Sequence, residues 1–276
     1  MNRDLILKEY GASWLGAYLE CHEVLPSTND RARELLDERG PAAHGAVVIA
    51  SSQTRGRGRL GRVWLTAPGL SLALSVALWP REGETSPSLA LAGSLAAAEA
   101  LSEGGNLRPR LKWPNDVLLG GRKVAGVLLE GRYSGGAAAG LVLGIGVNLN
   151  QERDDFPPEL RDSAVSARQA SGRAVSPEAH AAALIRSLSR LLALGLADPG
   201  ALVDAAAPWW DHEKEEELEV QVGDGTVRGR FVGVGRDGEL RLRCGAGVIA
   251  LRFGEVARVR RVGKATPAAA ADGGGS

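Results

Sequence analysis

Four strand-like segments follow one another at 110–113, 116–119, 123–133 and 139–149, joined by Gly120-Gly121 and Gly135-Gly136. Glycine pairs suit tight hairpin turns, whose central residues take positive φ at no steric cost. That block commits the middle of the chain to antiparallel pairing. Around it, Ala46–Ser52 and Leu70–Trp79 read as further strands, one a buried run and one alternating. Helical signals flank them. Residues 26–40 carry Ser27 or Thr28 as a cap, Asp30 and Glu34 in the N-terminal half, and Gly40 as a stop. Ser86-Pro87 opens an Ala/Leu-rich helix to about Glu103, Ser176-Pro177-Glu178 opens another to about Leu194, and Pro199–Ala207 forms one more. The pattern predicts an α+β fold: a mixed, mainly antiparallel sheet with helices on one face.

The composition changes after Trp209-Trp210. From Glu213 to Gly263 the chain reads as short strands between glycine turns, which fits a small β-barrel. The expected organisation is a catalytic unit over 1–212, a barrel over 213–263 and a disordered tail over 264–276. Only 26 residues precede the first capped helix, too few for a helix-turn-helix DNA-binding domain, so none is expected. No apolar run reaches the length of a membrane span and no signal peptide is visible, so a cytoplasmic protein is expected. Cys21 and Cys244 form no metal-type pair.

The 33 basic and 33 acidic residues cancel, which excludes bulk electrostatic binding of polyanions. The cancellation is not local. Arg39 to Arg81 holds six arginines and no acid, and its centre is Gln53-Thr54-Arg55-Gly56-Arg57-Gly58-Arg59-Leu60-Gly61-Arg62-Val63-Trp64. Bare backbone N–H groups beside guanidinium forks suit a phosphate or carboxylate, and the glycines allow a loop that orders around an anion. A solvated Arg/Gly loop is the bland alternative. Gly56, Gly58 and Gly61 also match the dinucleotide fingerprint, but the segment opens no helix, and Glu82 and Glu84 lie in no βαβ unit.

Only five of the basic residues are lysine, and two of them, Lys112 and Lys123, lie close together. The first begins Lys112-Trp113-Pro114-Asn115-Asp116; the second begins Lys123-Val124-Ala125-Gly126-Val127-Leu128-Leu129-Glu130. A carboxylate and an amide beside two ammonium groups fit a site for a cation and phosphate, with Asp116 for Mg²⁺. A hairpin with a surface ion pair is the bland reading. A buried strand then ends in Gly144-Ile145-Gly146-Val147-Asn148-Leu149-Asn150, where Asn148 reads as a ribose or base contact or as a turn cap.

Taken together, Ser27-Thr28-Asn29, Gln53, the Gly56–Trp64 loop, Lys112–Asp116, Lys123-x-Ala125-Gly126 and Gly146–Leu149 resemble, in order and spacing over about residues 20–263, the biotin protein ligases. The resemblance implies a fold like that of class II aminoacyl-tRNA synthetases and biotin ligases, with an SH3-like C-terminal barrel. It implies that biotin and ATP form biotinyl-5′-adenylate and that biotin then passes to a lysine of a biotin carboxyl carrier protein. By the same resemblance Ser27, Thr28, Asn29 and Gln53 meet the ureido ring, with the backbone of Gly126 as a further contact and Leu128 as a wall. Gly56, Arg57, Gly58 and Arg59 take the biotin carboxylate and phosphate. Arg62 completes the loop on the nucleotide side and Trp64 stacks on or covers the adenine. Lys123 touches both the carboxylate and the α-phosphate. Asn115 and Asn148 hold ribose or phosphate. Lys112 assists the leaving pyrophosphate or orients Asp116, and Asp116 serves Mg²⁺ directly or from behind and positions the acceptor amine. A homodimer built on the catalytic sheet also comes with the resemblance; no residue here derives it. The alternatives are a lipoate or other carboxylate-adenylating ligase of the same fold, and an RNA-binding module using the Gly-Arg loop.

Overall fold

The computed structural model describes residues 1–262 other than 12, 81–86, 104, 135–136 and 253–255. Ser86, Glu82, Glu84, the Gly135-Gly136 turn and the tail at 264–276 lie outside the described residues.

The chain runs α1 (Arg3–Tyr10), β1 (Leu19–Leu25), α2 (Thr28–Arg39), β2 (Ala46–Gln53), β3 (Ser71–Leu78), α3 (Leu89–Ser102), β4 (Arg110–Lys112), β5 (Asp116–Leu119), β6 (Arg122–Ser134) and β7 (Ala137–Asn148). Then come α4 (Ala167–Ser171), α5 (Pro177–Ala197), α6 (Pro199–Ala206), and β8 (Glu217–Val222), β9 (Gly225–Val234), β10 (Leu240–Cys244), β11 (Gly247–Leu251) and β12 (Val256–Arg261). Local chemistry explains the boundaries. Ser176 accepts a hydrogen bond from the Ala179 N–H and Pro177 occupies the first turn of α5. Ser166 and Gln169 form a capping box on α4. Gly120 and Gly121, at φ 57° and 78°, make the β5–β6 turn as their sequence requires.

Seven strands form one sheet in the order β1-β2-β3-β7-β6-β5-β4. Only β1 and β2 pair in parallel; every other neighbour is antiparallel. The mixed, mainly antiparallel α+β reading therefore stands. Two elements were not legible. The stretch before residue 26 holds α1 and the edge strand β1, so the first helix starts at Arg3 and not at the cap of α2. β1 is a mostly half-buried edge strand with Glu20, His22 and Glu23 among its seven residues, and so lacks an apolar run.

Alternation divides the sheet into two unlike faces. Val47, Ile49, Leu72, Leu74, Val76, Val127, Leu143, Ile145 and Val147 belong to the main core, together with α3 and α5. α5 is long and apolar enough to cross a membrane, and most of its apolar window is buried inside this fold. The other face carries Ala73 and Ser75 of β3, Gly144 and Gly146 of β7, and Gly126, Leu128 and Glu130 of β6; Gly146 stands opposite both Ala73 and Gly126. Helices were expected on one face only. α2 instead lies on this second face, where Ala32, Leu35 and Leu36 cluster with Val48, Ala77 and Val142.

The last five strands form an antiparallel sheet in the order β11-β10-β9-β8-β12, with register shifts at Arg241/Leu242 and Val256/Arg258. No pairing of β11 with β12 closes it among the described residues. Its buried residues, including Leu218, Phe231, Leu242 and Val259, are continuous with the main core. The Trp113 indole N–H donates to the Gly238 carbonyl at 2.8 Å, and Arg236 pairs with Asp198.

Candidate active site

The site is built on the small-residue face, beginning at the N-terminus of α2. Ser27, Thr28 and Asn29 are all buried there. Gln53, at the end of β2, is the hub: its Oε1 accepts from the Thr28 N–H at 2.8 Å and from the Thr28 hydroxyl at 3.2 Å, and its Nε2 donates to Thr66 Oγ1 at 3.1 Å. Ser75 Oγ lies 2.7 Å from Thr28 Oγ1 and 2.6 Å from Asn29 Oδ1. A Cβ on Gly144 would lie 2.1 Å from that same Oδ1, so only glycine admits Asn29 here. Asn29 Nδ2 donates to Glu130 at 2.6 Å. The Ser27 side chain, although at the cap position, makes no cap bond.

The Gly-Arg segment folds as a short hairpin across this pocket. The Trp64 N–H bonds the Gly56 carbonyl at 3.0 Å and the Gly58 N–H bonds the Arg62 carbonyl at 2.7 Å. Leu60 at φ 57° and Gly61 at φ 72° turn the tip. Close approach explains Gly56, because a Cβ there would lie 2.2 Å from the Trp64 carbonyl oxygen. The Trp64 ring lies over the sheet glycines: an added Cβ would be 2.2 Å from the ring at Gly146 and 3.3 Å at Gly126. Its buried Nε1 has no hydrogen-bond partner among the described residues.

The arginines of the hairpin differ in surroundings. Arg57 holds Asp30 with both Nη atoms, at 2.7 and 2.9 Å, and this pairing depresses the Asp30 carboxyl below its ordinary range. Arg59 reaches Asn115 Oδ1 at 3.4 Å and the Val256 carbonyl at 2.7 Å, so it ties the hairpin to β12. Burial lowers its pKa, with Asp116 opposing and Arg62 adding to the shift. Arg62 itself is exposed at the rim.

At the far end of the glycine floor, Lys123 Nζ is 2.5 Å from Asp116 Oδ1 and 5.5 Å from the centre of the Trp64 ring. The main chain of Lys123 is fastened to the segment beyond β7, its N–H to the Ser163 carbonyl and its carbonyl to the Val165 N–H. Asn148 spends its amide on those carbonyls, 3.3 Å to Val165 and 3.5 Å to Lys123. Asn115 Nδ2 donates to the Val127 carbonyl at 2.5 Å. Lys112 sits opposite Asp116 in the β4–β5 pair, and its ammonium has no ion-pair partner within 4 Å among the described residues. Burial pushes its pKa down, with Asp116 opposing that shift.

The structure thus gathers Ser27, Thr28, Asn29, Gln53, Gly56, Gly58, Arg59, Trp64, Asn115, Asp116, Lys123, Gly126, Leu128 and Asn148 along one face and its rim. Arg57 is nearby but held by Asp30. Ser75, Thr66, Asp30 and Glu130 were not read from the sequence as residues of the site. Ser71 and Ser75, polar and same-facing in an otherwise apolar strand, were the available signal for that face.

Comparison with known proteins agrees with this geometry. The chain matches the Biotin/lipoate A/B protein ligase family over residues 21–148. It is 37% identical over 162 residues to the bifunctional ligase/repressor BirA of Bacillus subtilis, covering 58% of this chain and 49% of that protein. It therefore spans about half the length of the first relatives it matches. It is 34% identical to the biotin–[acetyl-CoA-carboxylase] ligase of Paracoccus denitrificans, over 80% of this chain and 92% of that one. The biotin protein ligase of Aquifex aeolicus in complex with biotin and ATP superposes with a TM-score of 0.76 at 30% identity, over 89% of this chain and 99% of that one. The chain belongs to the biotin protein ligases of the biotin/lipoate A/B protein ligase family.

Proposed function

We propose that the chain is an ATP-dependent biotin protein ligase: it joins biotin and ATP into biotinyl-5′-AMP and passes the biotin to a lysine of a biotin carboxyl carrier protein. One observation carries this reading. Lys123, Arg59 and the backbone of a glycine hairpin converge at one end of a shallow floor whose other end is a neutral hydrogen-bonding pocket. A ligand with a ureido ring, a thin apolar body and a carboxylate has that polarity. Ser27, Thr28, Asn29, Gln53 and the Gly126 backbone would serve the ring, Leu128 would wall its body, and Gly56, Gly58, Arg59 and, once released from Asp30, Arg57 would take the carboxylate.

In the first step the carboxylate oxygen attacks the α-phosphorus and the bond to the bridging oxygen breaks, releasing pyrophosphate. Two anions approach, and Lys123, exchanging Asp116 for the reacting oxygens, offsets their repulsion. Arg62, Asn115 and Lys112 would serve the nucleotide side, with Trp64 against the adenine. Asn148 acts by holding the Lys123 backbone. Asp116 is the carboxylate paired with Lys123, and no cluster of three metal-binding side chains exists among the described residues. That donor set fits Mg²⁺ carried in on the triphosphate, where it would offset phosphate charge. In the second step the carrier's amine, once neutral, attacks the acyl carbon and AMP leaves. Asp116 is placed to orient that amine.

The small C-terminal sheet we read as an SH3-like barrel over 213–263 that closes on the site through Arg59, beside a catalytic unit over 1–212. The fold and the charge balance support a cytoplasmic enzyme without DNA binding; dimerisation through the sheet is compatible with them.

Incubating the protein with biotin, ATP and a carrier domain should add one biotin to a carrier lysine, read by mass. No addition, or addition of lipoate in preference to biotin, defeats the reading; salt-sensitive RNA binding without any ATP effect would favour the RNA-binding alternative.

A further inference from the structure

Glu130 belongs to none of the groups assigned above, yet it touches both ends of the ligand path. It is the third of three alternate residues on β6 that face the site, after Gly126 and Leu128. Its Oε2 accepts from Asn29 Nδ2 at 2.6 Å and lies 3.1 Å from Arg33 and 3.8 Å from Arg57. Asp30 completes the cluster, holding Arg57 with two bonds and Arg33 at 2.9 Å. Two carboxylates and two guanidiniums therefore balance where α2, β6 and the hairpin meet.

The chemistry at Asn29 gives Glu130 more than a bracing role. A carboxylate only accepts, whereas an amide both donates and accepts. Glu130 thus obliges Asn29 to present its NH₂ group to β6, and so presents Oδ1 to Ser75 Oγ, over the gap that Gly144 leaves. A glutamine at 130 would tolerate either orientation of Asn29. The same carboxylate attracts Arg57, and with it the hairpin that crosses the pocket.

We propose that Glu130 is a positioning residue that fixes the orientation of Asn29 and couples the ureido end of the pocket to the seating of the Gly-Arg hairpin through Arg57. The proposal rests on the biotin-ligase reading for its ligand, but its link between Glu130 and the hairpin can be read without one.

The test compares wild type, Glu130→Gln, Arg57→Ala and the double variant. In the ligand-free proteins, limited trypsin digestion reads the hairpin at Arg55–Arg62; Glu130→Gln should raise cleavage there severalfold with the thermal midpoint unchanged. With biotin, Glu130→Gln should weaken binding about tenfold, the size of one lost charge-assisted hydrogen bond, while kcat for adenylate formation at saturating biotin changes less than about threefold. Adenylate loss to solvent should rise about tenfold, and that effect should vanish in the Arg57→Ala background while the biotin effect remains. A residue that merely braces α2 would lower the thermal midpoint and leave hairpin cleavage and adenylate loss unmoved; that result overturns the proposal. So does a Glu130→Gln effect on adenylate loss that persists undiminished without Arg57. Wild-type protein that binds no biotin would defeat the functional reading alone, and the digestion still decides whether Glu130 seats the hairpin.

Discussion

The two faces of the seven-stranded sheet share their strands, their twist and their register, and differ only in what alternate residues carry. One side presents Leu, Ile and Val to α3 and α5 and is dry. The other packs α2 on Val48, Ala77 and Val142 at one end, and around the site presents glycine, alanine and serine beneath a helix end, a hairpin and polar networks. Branched side chains fill space and stabilise; absent side chains create space, which the protein uses for ligand and loop. Stability and chemistry are thus separated by one residue's step along each strand, and substitutions on neighbouring positions should fail in different ways.

The largest effect is expected at the charged end of the small-residue face. Lys123→Ala should lower adenylate formation about a thousandfold, the scale of losing a group aimed at charge developing in the transition state. Its melting curve should stay near wild type, because Lys123 is partly exposed and no core contact is lost. Adenylate synthesis at wild-type rate would break the assignment. On the dry face, Leu74→Ala should cost about 2–5 kcal/mol in denaturant unfolding through cavity formation, with biotin affinity of the folded fraction preserved. Equal losses of affinity and stability would show that the faces are not separable.

Gly146→Ala turns the comparison around. One methyl group added to the small-residue face collides with Trp64, 2.2 Å from a ring carbon. The expected result is a displaced indole, seen as a red shift in tryptophan emission and faster adenylate loss, with unfolding free energy changed by less than about 1 kcal/mol. The smallest effect concerns how α2 is held on this face. Arg31 hydrogen-bonds Glu20 of β1 and brings its carboxyl down to about 2 from an ordinary 4.5. A depressed acid contributes stability above its unfolded value and loses it as pH falls. Glu20→Gln should therefore be modestly less stable than wild type above pH 4.5, and the two denaturation midpoints should converge as pH falls toward 2. A gap that stays constant with pH would remove Glu20 as the pin.

Much of this separation was legible in the sequence. The strands from Ala46 to Asn148 are announced by apolar runs, and Gly120-Gly121 announces its turn by chemistry alone. The charged end was legible too, because Lys112, Asp116 and Lys123 lie on one hairpin and its neighbour. The other end was not. Ser75, Glu130 and Asp30 meet Asn29 or Arg57 only through pairing of strands far apart in the chain, and no local spacing encodes those encounters. β1 stayed hidden for another reason: an edge strand that gives the core only Leu19 and Cys21, and spends Glu20 and His22 on polar contacts, shows no apolar run. Arg57 looked like a free anion ligand because acids are absent from its own stretch; the acid that answers it comes from α2.

The bond from the Trp113 indole to the Gly238 carbonyl bears on how such a protein can be shortened. A chain ending at 212 would strip the acceptor from a buried donor and, in the same cut, remove the Val256 carbonyl that Arg59 holds. The small sheet thus supplies hydrogen-bond acceptors to two side chains of the larger unit, so the two sheets are joined by polar bonds as well as by a shared core.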